Sequence, residues 1–228
     1  NNIFSKMQEI LQNQKNFSSN VSHELKTRIA IMKGYLDILK WGKNDPKMLD
    51  EALESMNIEI ANMEKIISNL QFISQAKKLK ILNEQINLCS LLNKIKNDYS
   101  LLKTEKNIIV ECDSGETIYG DRHLIFEALR GLIDNSIKYS TGNSIFLIIE
   151  NSDKWIKVII RDFGPGIPEE DTEKIFERYY QIGTQNYNHT KGTGLGLSII
   201  KEIIELHNAE IKIKNRSDGL DTELIFKK

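Results

Sequence analysis

Residues Lys191 to Leu197 read Lys-Gly-Thr-Gly-Leu-Gly-Leu, three glycines at alternate positions directly before the apolar run Ser198–Leu206. Glycine lets a backbone approach a ligand closely and takes dihedrals closed to other residues. A helix start behind such a loop offers unpaired N–H groups and a favourable dipole end to an anion. The chemistry is phosphate cradling, although the same pattern alone also serves as a plain turn. Three other segments supply what a nucleotide needs. In Ala128–Tyr139, helical spacing puts Gly131, Asn135 and Lys138 on one face. An amide oxygen there is a hard ligand for Mg²⁺, and a lysine one turn later meets phosphate as a point charge. Arg161–Pro168 closes an apolar run with Asp162, then Gly164 and Gly166. Such a carboxylate accepts a hydrogen bond from an exocyclic amine, and the glycines leave room for a flat ring. Ile175–Tyr180 is an aromatic patch with a single arginine, Arg178.

These residues need a scaffold, and 228 residues suffice for two modest domains. Thirty-one basic residues nearly cancel thirty-two acidic ones, so no global field points to nucleic acid or an anionic membrane. No apolar stretch approaches the ~18–20 residues that span a bilayer. The chain opens on Asn1-Asn2 rather than Met and is expected to be a fragment of something longer. Cys89 and Cys112 lack metal-ligand spacing, which makes two reduced thiols the expectation.

Apolar residues recur at three- and four-residue steps from Ile3 to Leu39 and again from Met48 to Ile73. Trp41–Pro46 separates them, with Asp45 as N-cap and Pro46 at the first helical position. The pattern is an antiparallel helical hairpin, whose two apolar stripes need a second copy to complete a dimeric four-helix bundle. From about Leu79 the pattern turns α+β. Strands are predicted at Gln85–Leu88, Ile108–Glu111, Ser144–Glu150, Trp155–Arg161, Glu210–Lys214 and Glu223–Phe226, and helices at Ser90–Lys103, Arg122–Tyr139 and Ser198–His207. Late hairpins imply a mixed sheet with helices on one face, an α/β sandwich. The polar, aperiodic stretch Gln181–Thr193 reads as a lid.

The segments around Asn135, Asp162, Phe176 and Gly192 resemble, in order, the N, G1, F and G2 boxes of the sensor histidine kinases. Phe17–Thr27, Phe-Ser-Ser-Asn-Val-Ser-His-Glu-Leu-Lys-Thr, resembles their H box. The resemblance implies a multidomain α and α+β chain: the end of an incoming signalling helix (1–16), a dimerisation and phosphotransfer hairpin (17–78) and a Bergerat-fold, GHKL-type ATP-binding domain (79–228) with a lid at about 181–196. It implies His23 as phosphoacceptor, Glu24 as the acid/base group and Thr27 as the residue that orients hydrolytic water. Asn135 would bind Mg²⁺, Lys138 the phosphates and Asp162 the adenine amine, with Gly164 and Gly166 flanking the base and Tyr139 among the cofactor-binding residues. Gly192, Thr193, Gly194, Leu195 and Gly196 would wrap the phosphates, with Arg178 reaching the γ-phosphate. The partners implied are a second copy and a response-regulator receiver domain, with no direct nucleic-acid contact. Membrane attachment would run only through a missing N-terminal region, leaving this part in the bacterial cytoplasm. Asp-Phe-Gly at 162–164 also occurs in Ser/Thr and Tyr protein kinases, but their glycine loop precedes that motif and here it follows.

His23 lies off the apolar positions 21, 25, 29 and 32 and is expected to be exposed; His123, His189 and His207 have no comparable neighbours. Two positions depart from the family. Position 28 is Arg where the H box continues with Pro, and position 131 is Gly where many members carry Asn. Losing a polar side chain at 131 is expected to weaken a contact near the phosphates. Arg28 keeps the backbone N–H that a helix-interior proline removes and is expected to keep the helix straight. Alternative readings are a kinase-impaired, phosphatase-biased variant and a regulator-docking pseudokinase. Arg28→Pro is expected to change the ratio of autophosphorylation to regulator dephosphorylation. Equal rates in both proteins, measured with labelled ATP and a cognate regulator, would refute this.

Overall fold

The computed structural model describes residues 2–41, 45–75, 81–101, 106–113, 115–178, 180–182 and 194–228. Two helices come first, α1 (Asn2–Trp41) and α2 (Pro46–Gln75), packed on each other as the expected hairpin. Asp45 caps α2 with its carboxylate accepting from Lys47 N at 3.0 Å and Met48 N at 3.4 Å, and Pro46 opens the helix. Position 28 lies inside an unbroken α1, as a residue with a backbone N–H allows. Ala52 and Ile66 are buried, whereas Ile29, Leu36, Ile60 and Ile67 remain more than a third exposed.

The second unit holds β1 (Glu84–Asn87), α3 (Leu88–Leu101), β2 (Asn107–Glu111), β3 (Thr117–Gly120), α4 (Arg122–Tyr139), β4 (Ser144–Asn151), β5 (Trp155–Asp162), α5 (Gly196–Leu206), β6 (Glu210–Arg216) and β7 (Gly219–Lys227). The main sheet runs β2-β4-β5-β7-β6, with β2 parallel to β4 and the other neighbours antiparallel; β1 and β3 form a separate ladder. Period-two alternation puts Ile156, Val158, Ile160 and Asp162 of β5 on one face, opposite Phe226, Leu224, Thr222 and Leu220 of β7. All four of those β5 residues are buried. Against the sheet pack α4, with Ile125, Leu129, Leu132 and Ile133 buried, and α5, with Ile199, Ile200, Ile203 and Ile204 buried. Each such side chain contributes roughly 1.5–3 kcal/mol on burial. Across the other face, Arg161 grips Asp221 through Nε at 2.8 Å and a terminal nitrogen at 2.9 Å, and Arg216 adds a bond at 3.2 Å. Burial pushes the Asp221 carboxyl up, but the two guanidiniums outweigh it and hold it below the usual range.

Three sequence expectations are corrected. Leu88 is not the end of a strand: Asn87 Oδ1 accepts from Ser90 N at 2.7 Å and starts α3 there. β3 was not foreseen, because its four residues give too short a pattern. Cys89 and Cys112 are not two free thiols but a disulfide, because the fold brings the first turn of α3 beside the end of β2, with Cα atoms 5.8 Å apart.

The β6–β7 turn presses on the end of β5, where a Cβ at Gly219 would overlap the carbonyl oxygen of Asp162. Backbone cannot yield as a flexible side chain does. Gly219→Ala is therefore expected to cost about 2–3 kcal/mol, read from urea denaturation. A loss under about 0.5 kcal/mol would contradict this contact.

Candidate nucleotide site and phosphoacceptor helix

β5, the middle strand of the sheet, delivers Asp162 at its C-terminal end, where it is only 5% exposed. A buried carboxylate must find donors. Asp162 Oδ2 accepts from Ser136 Oγ at 2.9 Å, and Oδ1 accepts from Gly164 N at 2.9 Å. Burial, the largest influence, raises the carboxyl above the usual aspartate range, while these two hydrogen bonds pull it down. A Cβ at Gly164 would stand 3.0 Å from Asp162 Oδ1 and 3.1 Å from the Tyr139 carbonyl oxygen. The missing side chain keeps space open beside the carboxylate. Gly166 has φ +74, and Asn215 of β6 ties the same turn by accepting from Ile167 N at 2.9 Å and donating to Ile167 O at 2.7 Å.

Asp121 caps α4 by accepting from His123 N at 3.0 Å and Leu124 N at 3.1 Å. The helix carries Ser136 inward, leaves Asn135 half-buried, and exposes Lys138 and Tyr139. Lys138 Nζ lies 4.9 Å from the Tyr139 ring centroid, a cation–π contact. Ser140 and Thr141 fasten the helix end to the same turn: Phe163 N donates to Ser140 Oγ at 3.2 Å, and Thr141 Oγ1 donates to Phe163 O at 2.7 Å. Asn135, Ser136, Tyr139, Asp162 and Gly164 thus converge on one end of the sheet. Sequence reasoning missed Ser136 and Asn215 as working residues. A Ser one position after Asn135 was the only local sign of the first; nothing local marked the second.

Gly131, expected to lack a polar contact near the phosphates, lies against α5. A Cβ there would meet Ile200 Cδ1 of α5 at 3.0 Å, so the glycine serves close helix packing. Gly194 has φ +68, Leu195 is fully buried and Gly196 opens α5, two residues earlier than predicted. Gly192 and Thr193, most of the expected lid (183–193), His189 and Tyr179 lie outside the described residues. Arg178 forms an ion pair with Glu202 of α5 at 3.1 Å. His207 is structural, with Nδ1 2.6 Å from Ile203 O and Nε2 accepting from Asp121 N at 2.9 Å.

On α1, His23 is exposed and its neighbour Glu24 half-buried. Thr27 Oγ1 donates to His23 O at 2.9 Å. Arg28 donates to Glu59 of α2 at 2.9 Å and to Glu24 at 3.4 Å. Burial pushes the Glu24 carboxyl up, and the Arg28 charge pulls it back.

Residues 13–79 match the His Kinase A (phospho-acceptor) domain, and residues 120–228 match the histidine kinase-, DNA gyrase B-, and HSP90-like ATPase family. The chain belongs to the sensor histidine kinases. It is 33% identical to the Staphylococcus aureus signal transduction histidine-protein kinase ArlS over 245 aligned positions, covering 99% of this chain and 51% of that protein. The chain thus spans about half the length of the curated relatives it matches. Among solved structures, the kinase ThkA in complex with the response regulator TrrA superposes with TM-score 0.73 at 25% identity, covering 98% of this chain and 64% of that one. Acinetobacter baumannii AdeS shares the fold, with TM-score 0.71 at 24% identity over 90% of this kinase core and 97% of that chain. No helix among the described residues is long and apolar enough to cross a membrane.

An aspartate raised by burial carries a penalty that is absent below the ordinary aspartate pKa and complete above the raised one. Asp162→Asn keeps the shape and the acceptor for Gly164 N. Its stability relative to the parent is expected to improve as the pH rises from about 3 to about 7, in urea denaturation at both values. A difference constant with pH would contradict a carboxyl raised by burial.

Proposed function

We propose that this chain is the catalytic core of a sensor histidine kinase that binds ATP beside Asp162, phosphorylates His23 and passes the phosphoryl group to an aspartate on a response regulator. The observation that carries the reading is the buried Asp162, each carboxylate oxygen held by one donor with acceptor capacity to spare, under an opening that a Cβ at Gly164 would fill. Such a site accepts a flat ring with an exocyclic amine, which is adenine. Gly166 flanks the base, and Lys138 and Tyr139 stand on the phosphate side. Gly192, Thr193, Gly194, Leu195 and Gly196 cover the phosphates, and Arg178 exchanges Glu202 for the γ-phosphate. The Asn135 amide oxygen would hold Mg²⁺, which would supply charge neutralisation.

In the transfer, a ring nitrogen of His23 bonds to the γ-phosphorus as the bond to the bridging oxygen breaks and ADP leaves. The proton on the other ring nitrogen passes to Glu24. Exposure of His23 suits a group that must meet both an ATP site and a regulator. Thr27 serves water-mediated dephosphorylation of the regulator, a second activity of the same helix. The exposed Ile29, Leu36, Ile60 and Ile67 support pairing of two hairpins into a four-helix bundle. We place this core in the bacterial cytoplasm, with a membrane reached only through sequence outside this chain. A phosphatase-biased variant is the second reading, favoured by Arg28 holding Glu24.

Incubation of the purified chain with γ-labelled ATP is expected to give acid-labile, base-stable label that disappears in His23→Gln. No label but accelerated dephosphorylation of a regulator would replace this reading with the phosphatase, and neither signal would leave a docking scaffold.

A further inference from the structure

Arg28 does more than restore a backbone hydrogen bond. Its guanidinium stands between two carboxylates, Glu59 Oε2 on α2 at 2.9 Å and Glu24 Oε1 one helical turn back at 3.4 Å. All three side chains are withdrawn from water, 20% exposed for Arg28, 21% for Glu24 and 16% for Glu59. Ion pairs in that setting are screened less than surface pairs. The planar guanidinium donates to the two carboxylates through different terminal nitrogens, Nη1 to Glu59 and Nη2 to Glu24, in a fixed fork. Arg28 Nε is also buried with no hydrogen-bond partner among the described residues. An unmet buried donor weakens the arrangement and makes a second arrangement of the side chain accessible at modest cost.

The consequence lies with Glu24. Its neighbour His23 is exposed, while Glu24 is drawn to the half-buried side of the hairpin by Arg28, which is itself anchored across to α2. We propose that Arg28 is a positioning residue that ties the Glu24 carboxylate to α2, so that Glu24 serves His23 freely only when the Arg28–Glu59 pair is released. The inference rests on the reading of His23 and Glu24 given above. It makes the register of α1 against α2 a control on phosphoryl transfer: a shift that separates Arg28 from Glu59 frees the base, and one that preserves the pair restrains it.

The test measures initial rates of His23 labelling against ATP concentration in the full chain, together with the melting temperature. Arg28→Met keeps the apolar stem and removes the charge. The double exchange Arg28→Glu with Glu59→Arg rebuilds a cross-helix pair but sets a carboxylate beside Glu24. Both are to be made with Glu24 intact and with Glu24→Gln. Arg28→Met is expected to raise kcat at least about threefold with the KM for ATP unchanged, as for a directly coupled pair. The double exchange is expected to recover the parent melting temperature while keeping the raised kcat, and Glu24→Gln is expected to be slow and to erase the Arg28 effect. A merely structural brace would behave otherwise, with both stability and kcat returning to parent values in the double exchange, and that result would overturn the proposal. So would a kcat in Arg28→Met at or below the parent's while Glu24→Gln remains slow. Glu24→Gln as fast as the parent would instead overturn the role of Glu24, and this inference with it. If Arg28→Met fails to fold, the double exchange decides alone.

Discussion

A carboxylate taken out of water has to be met by donors or neutralised, and Asp162 meets that constraint with neutral donors where Asp221 uses two guanidiniums. One oxygen takes the Ser136 hydroxyl from α4 and the other takes the Gly164 amide from the turn after β5. Those two bonds fix a helix, a strand end and a turn against one another. The neighbouring contacts repeat the arrangement at wider radius. Ser140 and Thr141 hold the backbone of Phe163, Asn215 holds that of Ile167, and Gly219 packs against the Asp162 carbonyl. Gly164, with no side chain, leaves the space beside the Asp162 carboxylate unfilled.

The helical hairpin obeys a different logic. It buries little by itself, and its apolar stripe remains half-open to solvent. His23 is exposed, and beside it Arg28 bridges Glu24 and Glu59 while Thr27 bonds the His23 carbonyl. Contacts of that kind are individually modest, whereas removing the Ser136 hydroxyl would leave the buried Asp162 carboxylate short of a donor. A tightly tied corner and a helix with exchangeable contacts are what the proposed phosphoryl transfer would draw on, since such catalysis is mostly positioning.

Much of this was legible from local patterns. The hairpin helices, the Asp45 cap, the bounds of α4 and the β4–β5 and β6–β7 hairpins follow from periodicity and turn residues within a few positions of one another. Leu88 was misplaced because an apolar residue at a strand–helix junction fits either element, and only the Asn87 side chain decides it. β3 was missed because four residues are too few for alternation to register. The reduced state expected of Cys89 and Cys112 came from their spacing and a compartment argument, and neither carries information about which strand end meets which helix start.

The sequence by itself determined the inventory: the His-Glu pair on a helix, Asn135 and Lys138 on another, Asp162 with its glycines, and the glycine run that opens α5. These are fixed by covalent spacing and by the periods of helix and strand. Only the tertiary structure decided which partner each of them has. Ser136 meets Asp162 across 26 positions, Cys89 meets Cys112 across 23, Arg28 meets Glu59 across 31, and Gly131 packs against Ile200 of α5. Such pairings depend on how elements pack after the chain has closed its long loops, and no residue's type or local spacing encodes that by itself.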